Sequence, residues 1–567
     1  MQKRTVALDA GRANPVTTGE CSRLGILVLD AIDLSRLPWI RPLVTAYLND
    51  FASVSQLFSG NPQDPAAWRS AIARVHGAPR NRSAIADILV RQLERRNAPA
   101  EARAAASSLG DASTVAIMSG QQAGVFGGPL YTILKAVTAV QLAKKVRAEH
   151  QTPTVALFWV DAEDHDWAEI SKAGILDDEL SLRHTTVRPV DGAGSRPAAA
   201  LTFDAGIEDT LRELEAVLPA SEFKAEVLTA VRRRYCPGAG VATAFASFLD
   251  DLLGRHGLVV FESGDAAAKP LVATLFLHEI ERPGVTARLA REAAATMTRL
   301  GHQPQVEPAD DSVALFYVDA NGRRPIKYRA SEFVIGDQVH PAPDLQQEAK
   351  AHPGRFSPSV VLRPVVQDRL FPTVCYVAGP SELAYQAQLG SVYREFGVEP
   401  PLLYPRVSAT IVDSGAARFL EKSGVAFETL QAQDEGALNR LLESLLPPAL
   451  EQTFEETERA VAEGTARLKA AVVSVDPTLS GAVETTADRI RETLKTLHGK
   501  IIQASKRKDE TLRRQFHRTR ALVFPGGQPQ ERTLCTAFFL ARFGPGMTDR
   551  LLDDLPLQTN KHYLLKI

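Results

Sequence analysis

The feature that most restricts the fold of this chain is a glycine-rich turn set between an apolar run and a long periodic segment. Residues 114–118 (TVAIM) are typical of a short buried strand, and residues 119–128 contain four glycines. Pro129 then stands where a helix would begin, and apolar residues recur at near-helical spacing up to Arg147. A second apolar run, 154–160 (TVALFWV), follows. Strand, turn, helix and strand predict a βαβ unit and a parallel sheet.

The same device appears again later in the chain. A predicted strand at 373–378 leads into Gly379–Pro380, a helix over 381–396 and a strand at 401–404. We expect both units to share one sheet, with the block between them as an insertion. That block is predicted to contain a strand–turn–strand stretch (174–203), helices (207–255), a strand (257–262), one long helix (267–300) and a hairpin (311–329) turning at Asn321–Gly322.

The tail has a different pattern, with apolar or small residues recurring in steps of four and three. They fall at 450, 454, 457, 461, 468 and 472, and then at 483, 487, 490, 494, 497, 501 and 504. This heptad spacing, interrupted by Asp476–Pro477, predicts a helical hairpin that forms a coiled coil. The second run, to about residue 520, would be roughly 60 Å long. We expect its seam to be covered by a second copy of the chain; packing within its own core is the alternative.

The predicted fold is therefore α/β, a Rossmann-like parallel-sheet core with inserted connecting elements and a C-terminal α-helical coiled coil. The expected divisions are 1–170 (N-terminal helices and first half of the core), 171–355 (inserted and connecting elements with part of the core), 356–440 (second half of the core), 441–525 (helical hairpin) and 526–567 (closing segment).

Composition excludes several classes of protein. The 567 residues include 65 basic and 67 acidic side chains, a formal net charge of −2. We therefore expect neither nucleic acid nor an anionic membrane as a partner. The four cysteines, at 21, 236, 375 and 535, have neither metal-finger nor disulfide-framework spacing. Residues 1–12 lack an apolar signal region, and no run of about 18 apolar residues exists. We expect a cytoplasmic protein.

The glycine turn is the first candidate for binding. It matches neither GxGxxG nor the P-loop pattern. Gly124 and Gly128 would let a ligand approach the backbone, and the following helix N-terminus would attract an anion. Gln121 and Gln122 are amide donors where packing alone would favour apolar residues. The alternative is that the glycines serve only tight packing between strand and helix.

The second candidate is the acidic segment 161–167 (DAEDHDW), directly after a predicted strand. Carboxyl ends of parallel strands are where open α/β sheets bind ligands. His165 could deprotonate an amine nucleophile, with Asp164 and Glu163 beside it as catalytic carboxylates. Asp166 is a candidate for substrate hydroxyls, although Asp164 or Asp166 could instead cap the next helix. One histidine among adjacent carboxylates lacks zinc spacing, so no metal is expected.

The third candidate combines two arginines with polar residues of the later unit. Arg363 and Arg406 could bind a carboxylate or phosphate through two N–H groups each, although a surface ion pair is as good an explanation for Arg363. Ser381 is expected to cap its helix. The remaining candidate substrate-binding residues of this region are Gln367, Asp368, Gly379, Glu382 and Tyr385.

A basic run at 506–508 is normally a solvated helix face. Because a glycine turn lies close by in sequence, Lys506, Arg507, Gly526 and Gly527 are also candidates for holding a nucleotide phosphate.

These segments together resemble the BshC family of bacillithiol biosynthesis, in that family's order and over essentially the whole chain. The blocks are SGQQAGVFGGPLYTILKA (which adds Tyr131 to the candidate site), FWVDAEDHDWAEI, SPSVVLRPVVQD, PTVCYVAGPSELAYQAQL, YPRVS and LVFPGGQPQER. The resemblance implies a Rossmann-type core, a homodimer through the coiled coil, and addition of cysteine to glucosaminyl malate. It also implies ATP or ADP as a possible cofactor. The family's fold is similar to that of class I aminoacyl-tRNA synthetases, yet the chain has neither their HIGH nor their KMSKS sequence in the expected places.

Residue chemistry alone leaves other functions open. One is a dimeric protein whose Rossmann core binds a small anion without turnover. Another is a nucleotidyltransferase or hydrolase that uses the acidic segment.

Overall fold

The computed structural model describes residues 26–444, 448–508 and 510–567. Its strands, in chain order, are β1 (Leu27–Asp33), β2 (Val115–Gln122), β3 (Thr154–Asp161), β4 (Lys172–Leu176), β5 (Leu182–Thr186), β6 (Val259–Glu262), β7 (Ser312–Asp319), β8 (Gly322–Arg329), β9 (Glu332–Ile335), β10 (Gln338–His340), β11 (Phe356–Pro358), β12 (Thr373–Ala378), β13 (Leu402–Pro405), β14 (Ser408–Val412) and β15 (Lys561–Lys566).

The α-helices are α1 (Pro42–Asn49), α2 (Phe51–Val54), α3 (Pro65–Gly77), α4 (Arg82–Arg95), α5 (Ala100–Ser108), α6 (Leu130–His150), α7 (Trp167–Ile170), α8 (Ile207–Val217), α9 (Lys224–Arg234), α10 (Val241–Leu253), α11 (Ala273–Glu281), α12 (Val285–Arg299), α13 (Ala342–Ala351), α14 (Arg363–Leu370), α15 (Pro380–Gln386), α16 (Gly390–Glu395), α17 (Ser414–Ser423), α18 (Gly436–Ser444), α19 (Pro448–Val472), α20 (Leu479–Lys508), α21 (Glu510–Val523), α22 (Gln530–Thr533), α23 (Thr536–Phe543) and α24 (Met547–Asp554).

The core is a five-stranded parallel sheet in the order β13-β12-β2-β3-β6. Its central strands are buried along almost their whole length, as expected for a parallel sheet covered on both faces. In the register of β2 and β3, Gln122 lies opposite Asp161. The Rossmann-like prediction is confirmed, and so is the pairing of the two units in one sheet. All five strands end at the same edge.

The middle block differs from its prediction in three ways. Strand β6 belongs to the core sheet as its edge strand, so this part of the block is not an insertion. The single helix expected over 267–300 is broken into α11 and α12 at Gly284, which adopts a φ of +79°. The expected hairpin is confirmed as β7 and β8, but it is part of a five-stranded antiparallel sheet in the order β10-β9-β8-β7-β11.

A third sheet joins the two ends of the described chain. Strand β15 pairs antiparallel with β1 and parallel with β14, and its central residues are buried. The C-terminal segment is therefore built into the same body as the core sheet. No disulfide joins the described cysteines 236, 375 and 535; Cys21 lies outside the described residues.

The predicted helical hairpin is confirmed. Helices α19 and α20 pack against each other across the turn at Asp476–Pro477, and the rings of Phe454 and His498 lie 4.9 Å apart between them. Large apolar side chains stay uncovered on the hairpin; Leu468 is 55% exposed. None of the helices in the described residues is long and apolar enough to cross a membrane.

Candidate active site

A cleft of about 620 Å³ opens at the carboxyl ends of the core strands. Its walls come from both halves of the sheet: the residues after β2 and β3 on one side, and α14, α15 and the residue after β13 on the other. The five-stranded antiparallel sheet covers the cleft with Phe316 of β7 and Arg323 of β8. The volume lies in the range of roughly 300–1,000 Å³ that small-molecule sites have.

The end of β2, where the glycine turn begins, makes one wall of this cleft, and the first N–H of the helix after the turn is already engaged. Leu130 N–H, the first of α6, donates to Leu534 O at 3.0 Å, and Thr536 N–H donates to Gly128 O at 2.8 Å. The first N–H of α6 is therefore engaged by the protein's own backbone, and an anion at this N-terminus stays a prediction. Gly124 and Gly128 do not line the cleft; they line an adjoining hollow of about 360 Å³ that shares Gln121 and Gln122 with it.

The two glutamines at the end of β2 hydrogen-bond to neighbouring side chains of the cleft. Gln122 donates through Nε2 to Asp164 at 2.7 Å and to Glu169 at 2.9 Å, while Gln121 Nε2 donates to the Tyr131 hydroxyl at 3.2 Å. Gln121, Gln122 and Tyr131 all line the cleft, as predicted from the sequence. Their amides therefore orient neighbouring side chains as well as facing a ligand.

A buried lysine lies at the base of the cleft. Lys135 of α6 donates to Gly120 O at 2.8 Å and to Gln121 Oε1 at 2.9 Å, and its Nζ lies 2.6 Å from Glu382 Oε2. Burial alone would raise the pKa of Glu382, but Lys135 and the Tyr376 hydroxyl hold that pKa below its ordinary value. The lysine therefore joins the two halves of the cleft through an ion pair.

Glu382 also closes the second helix N-terminus. Its Oε2 accepts from the Gly379 N–H at 2.7 Å, and Gly379 is the N-cap of α15. Ser381 is thus not the cap, because the helix begins one residue earlier, at Pro380. A carboxylate of the protein therefore already lies at the Gly379–Pro380 N-terminus.

The acidic segment divides between cleft and interior. Asp161, Asp164 and His165 line the cleft. Glu163 instead forms a buried ion pair with Lys269, which also donates to Phe356 O at 3.0 Å. The predicted catalytic role of Glu163 therefore does not fit its position, because its carboxylate is engaged away from the cleft.

Asp166 follows the alternative interpretation. It is the N-cap of α7 and accepts from the Glu169 N–H at 3.1 Å. It does not line the cleft. The carboxylate that the cleft gains from this helix is that of Glu169, whose pKa burial raises.

Asp161 stands at the last position of β3 and keeps about a quarter of its side chain exposed. Burial is the main cause that raises its pKa to about 6, opposed by Arg363, whose Nε lies 4.0 Å away. A carboxylate with such a pKa titrates near neutrality.

Arg363 is held from two sides. It donates to the Tyr385 hydroxyl at 2.8 Å and to Gln367 Oε1 at 3.1 Å, and all but 8% of the residue is buried. Arg363 and Tyr385 line the cleft as predicted. Gln367 and Asp368 do not: both are buried behind Arg363, and Asp368 accepts a hydrogen bond from Tyr393. Their placement as substrate-binding residues was wrong, because this face of α14 points into the core.

Arg406 has a protein partner for its two-pronged contact. Its NH1 and NH2 donate to the two carboxylate oxygens of Glu531 at 2.9 and 2.7 Å, and both side chains are only 4% exposed. Arg406 still lines the cleft. The bidentate carboxylate expected from the sequence is therefore one of the chain's own, on α22.

The candidate nucleotide residues are not at this cleft. Gly526 lines another groove, with Arg514, Arg518 and Arg520, that shares no lining residue with the cleft; Gly527 lies beside it in the same turn. The side chains of Lys506 and Arg507 lie outside the described part of the structure. Within the described residues, no group of three or more histidine, cysteine, aspartate or glutamate side chains could hold a metal ion.

Several lining residues were not predicted. Lys135 left a signal, a cation in a mainly apolar helical segment; Asp161 belonged to the candidate acidic segment, but no role of its own was predicted for it. Arg323 left none, because it reaches the cleft from a hairpin more than 150 residues away in sequence from His165. Glu169, Tyr376 and Arg532 are among the other charged or polar lining residues that were not predicted.

Comparison with known proteins identifies relatives over nearly the whole chain. Residues 28–407 match the family model described as the bacillithiol biosynthesis BshC N-terminal Rossmann-like domain, and residues 409–567 match its C-terminal coiled-coil domain. The proteins named "Putative cysteine ligase BshC" from Salinibacter ruber and Koribacter versatilis are 32% and 31% identical to this chain. Each alignment covers 93% of this chain, and 96% and 98% of those relatives.

Proposed function

The chain belongs to the BshC family of bacillithiol biosynthesis, and from this premise we propose that it is a ligase that joins the carboxyl group of cysteine to the amine of glucosaminyl malate. The observation that carries the proposal is the mixed lining of the cleft. Carboxylates (Asp161, Asp164, Glu169) and cations (Lys135, Arg363, Arg532) line one space of small-molecule size. Such a lining suits substrates that bear both an amine and carboxylates.

The chemistry sets what the cleft must do. A free carboxylate is a poor electrophile, so the cysteine carboxyl must be activated before an amine attacks it. Arg363 has five N–H donors, and Gln367 and Tyr385 take only two of them. The remaining donors suit a substrate carboxylate. The acidic side chains suit sugar hydroxyls and the amine.

We propose ATP as the activating co-substrate and cytoplasm as the location. The stretch with Lys506, Arg507, Gly526 and Gly527 is the proposed nucleotide site. ATP turnover should accompany ligation. Ligation without ATP turnover would mean that a nucleotide held at that site does not activate cysteine.

We also propose a homodimer formed through the hairpin. Leu468, Leu479 and Leu497 are 55, 41 and 48% exposed there, which leaves apolar surface for a second copy to cover. Sedimentation velocity should give twice the mass of one chain. The double variant Leu468→Lys, Leu497→Lys should sediment as a monomer; a monomeric wild type would contradict the proposal.

The function is tested by incubating the protein with cysteine, glucosaminyl malate and ATP. Mass spectrometry should find the condensed thiol together with AMP or ADP. Omission of each substrate in turn is the control. Anion binding without product, whichever nucleotide is supplied, would instead identify a non-catalytic binding protein. Cleavage of a phosphoester that His165→Ala abolishes would identify a hydrolase.

A further inference from the structure

Arg323 makes an unusual set of contacts at the roof of the cleft. Its guanidinium lies 3.7 Å from the centre of the Phe316 ring and donates to Ser357 Oγ at 3.1 Å and to Pro358 O at 3.0 Å. Its NH1 lies 3.2 Å from His165 Nδ1. The side chain is only 8% exposed. Ring stacking and two further hydrogen bonds thus fix the direction of the NH1 donor.

This contact determines which nitrogen of His165 carries the proton. A guanidinium has donors and no acceptor, so Nδ1 must accept. The neutral ring then carries its proton on Nε2. Among the described residues, no group hydrogen-bonds to Nε2 of His165, and this residue lines the cleft. The histidine therefore offers a ligand an N–H donor and no lone pair, which argues against the sequence-based prediction that His165 is the base.

The carboxylates of the cleft differ in how many hydrogen bonds they already accept. Asp164 accepts from Gln122 Nε2 at 2.7 Å and from the backbone N–H of His165 at 2.8 Å. Glu169 also accepts from Gln122. Asp161 accepts none from a side chain among the described residues; Arg363 at 4.0 Å is its nearest ion-pair partner. Lone pairs already engaged by donors are weaker bases, so Asp161 is the carboxylate best able to take a proton.

We propose that Arg323 holds His165 as a hydrogen-bond donor to the carbonyl oxygen of the activated cysteine, and that Asp161 accepts the proton of the attacking amine. This proposal rests on the proposed ligase function. The amine nitrogen forms a bond to the acyl carbon, and its proton passes to the Asp161 carboxylate. The bond from the acyl carbon to the phosphate oxygen of the activated acid breaks, and that oxygen keeps the electron pair. His165 Nε2–H stabilises the negative charge that develops on the carbonyl oxygen.

The surroundings of Asp161 suit a base that works near neutrality. Burial in the cleft raises its pKa to about 6, close to the pH at which it would act. The charged and titratable groups that face it come from α14, the β7–β8 hairpin, its own loop and α15, namely Arg363, Arg323, Glu163, Asp164 and Tyr385. The two arginines lower this pKa and the two acids raise it.

The tautomer is tested without any substrate. In protein labelled with ¹⁵N-histidine, long-range ¹H–¹⁵N NMR should show His165 with a protonated Nε2 and an unprotonated Nδ1. The His165→Gln spectrum assigns the signal by its absence. In Arg323→Ala the signal should shift towards the other tautomer, and in Arg323→Lys, which keeps one donor, it should shift less. An unprotonated Nε2 in the wild type would overturn the proposal.

Kinetics separate donor from base. Glutamine places an amide N–H near the position of Nε2–H but cannot take a proton. His165→Gln should therefore keep kcat within about 10-fold of wild type, whereas His165→Ala should lose roughly 10²–10³-fold. Asp161→Asn should lose roughly 10²–10⁴-fold. The rise of kcat/KM with pH near 6 should disappear in Asp161→Asn, while any rise due to the substrate amine stays.

Two further outcomes decide the case. If His165→Gln is as inactive as His165→Ala while Asp161→Asn stays active, His165 is the base and the proposal is overturned. If the wild type makes no condensed thiol, the ligase function fails, and the NMR spectrum alone then decides whether His165 is held as a donor.

Discussion

Two ion pairs in this chain have similar chemistry and opposite surroundings. Arg406 and Glu531 meet beside the cleft with both side chains 4% exposed, whereas Lys469 and Glu484 meet across the helical hairpin at 3.3 Å with 45% and 63% exposed. Water screens the second pair, and each of its members is hydrated when alone. Removing one member of the first leaves an uncompensated charge in the interior. The core thus depends on charge pairing, while the hairpin depends on its apolar seam.

The largest test of this contrast is Arg406→Met. It leaves the Glu531 carboxylate buried with only Ser408 and the Ala409 N–H as donors, and should lower the free energy of unfolding by about 3–5 kcal/mol. Urea denaturation followed by tryptophan fluorescence measures it. The double variant Arg406→Met, Glu531→Leu should regain part of the loss. A single variant as stable as wild type would break the comparison.

A buried carboxylate without a cation should show the contrast through pH. Glu279 is 1% exposed and accepts from Thr286 and from the Ala314 N–H at 2.7 Å; burial raises its pKa to about 7. Because this pKa lies above that of the unfolded chain, the folded protein binds more protons in between. The free energy of unfolding should fall as pH rises from about 4.5 to about 7.

Glu279→Gln should not show this fall, because an amide does not titrate. The new amide also keeps its partner, since the Thr286 hydroxyl can turn to accept from it. Above pH 7 the variant should be more stable than wild type, by at most about 3 kcal/mol. Urea titrations at several pH values measure the difference. Equal pH dependence of variant and wild type would show that Glu279 does not titrate as inferred.

Arg363→Lys asks whether the cleft needs the shape of a guanidinium or only its charge. Lysine keeps the charge near Asp161 but cannot reach Tyr385, Gln367 and a ligand together. The kcat/KM for ligation should fall roughly 10–100-fold, which corresponds to about 1.4–2.8 kcal/mol. Lys469→Arg on the hairpin is the matched control and should leave the rate unchanged. Equal rates in all three proteins would remove Arg363 from substrate binding.

The smallest effect is expected for the exposed pair. Lys469→Ala should change the free energy of unfolding by less than about 1 kcal/mol, and raised salt should reduce even this. Thermal denaturation at two salt concentrations measures it. A loss as large as that of Arg406→Met would mean that the hairpin pair is covered in the assembled protein, for example by a second copy.

Much of the fold was predictable because it follows from local patterns. Apolar runs at 114–118 and 154–160 became adjacent parallel strands, and the heptad spacing became α19 and α20. The break between α11 and α12 falls at Pro283–Gly284, a turn signal that the prediction of one long helix passed over. Residues 171–355 were expected to hold part of the core, but β6 was not identified as that part, because a single apolar run does not indicate which sheet it joins.

The site was predictable only in part. Segments at the ends of β2 and β3 were correctly expected at one edge, which brought Gln121, Gln122, Asp164 and His165 together; Arg363 joins them from the start of α14. Which neighbour faces inward was not predictable: Glu163 pairs with Lys269 in the interior while Asp164, one residue on, lines the cleft. Successive residues of a loop have no fixed periodicity, so only the packed structure assigns their directions.

The parallel α/β core and the helical hairpin can be read from the sequence, because periodicity and turn chemistry act over a few residues, and the family can be read from its motifs. The tertiary structure decided which charges are free. Glu382 and the Leu534 carbonyl each accept from an N–H at a helix start, Glu531 takes the two-pronged contact of Arg406, and Arg323 orients His165 from a distant hairpin. A buried polar group must find its partner wherever the fold provides one, and that partner can lie anywhere in the chain.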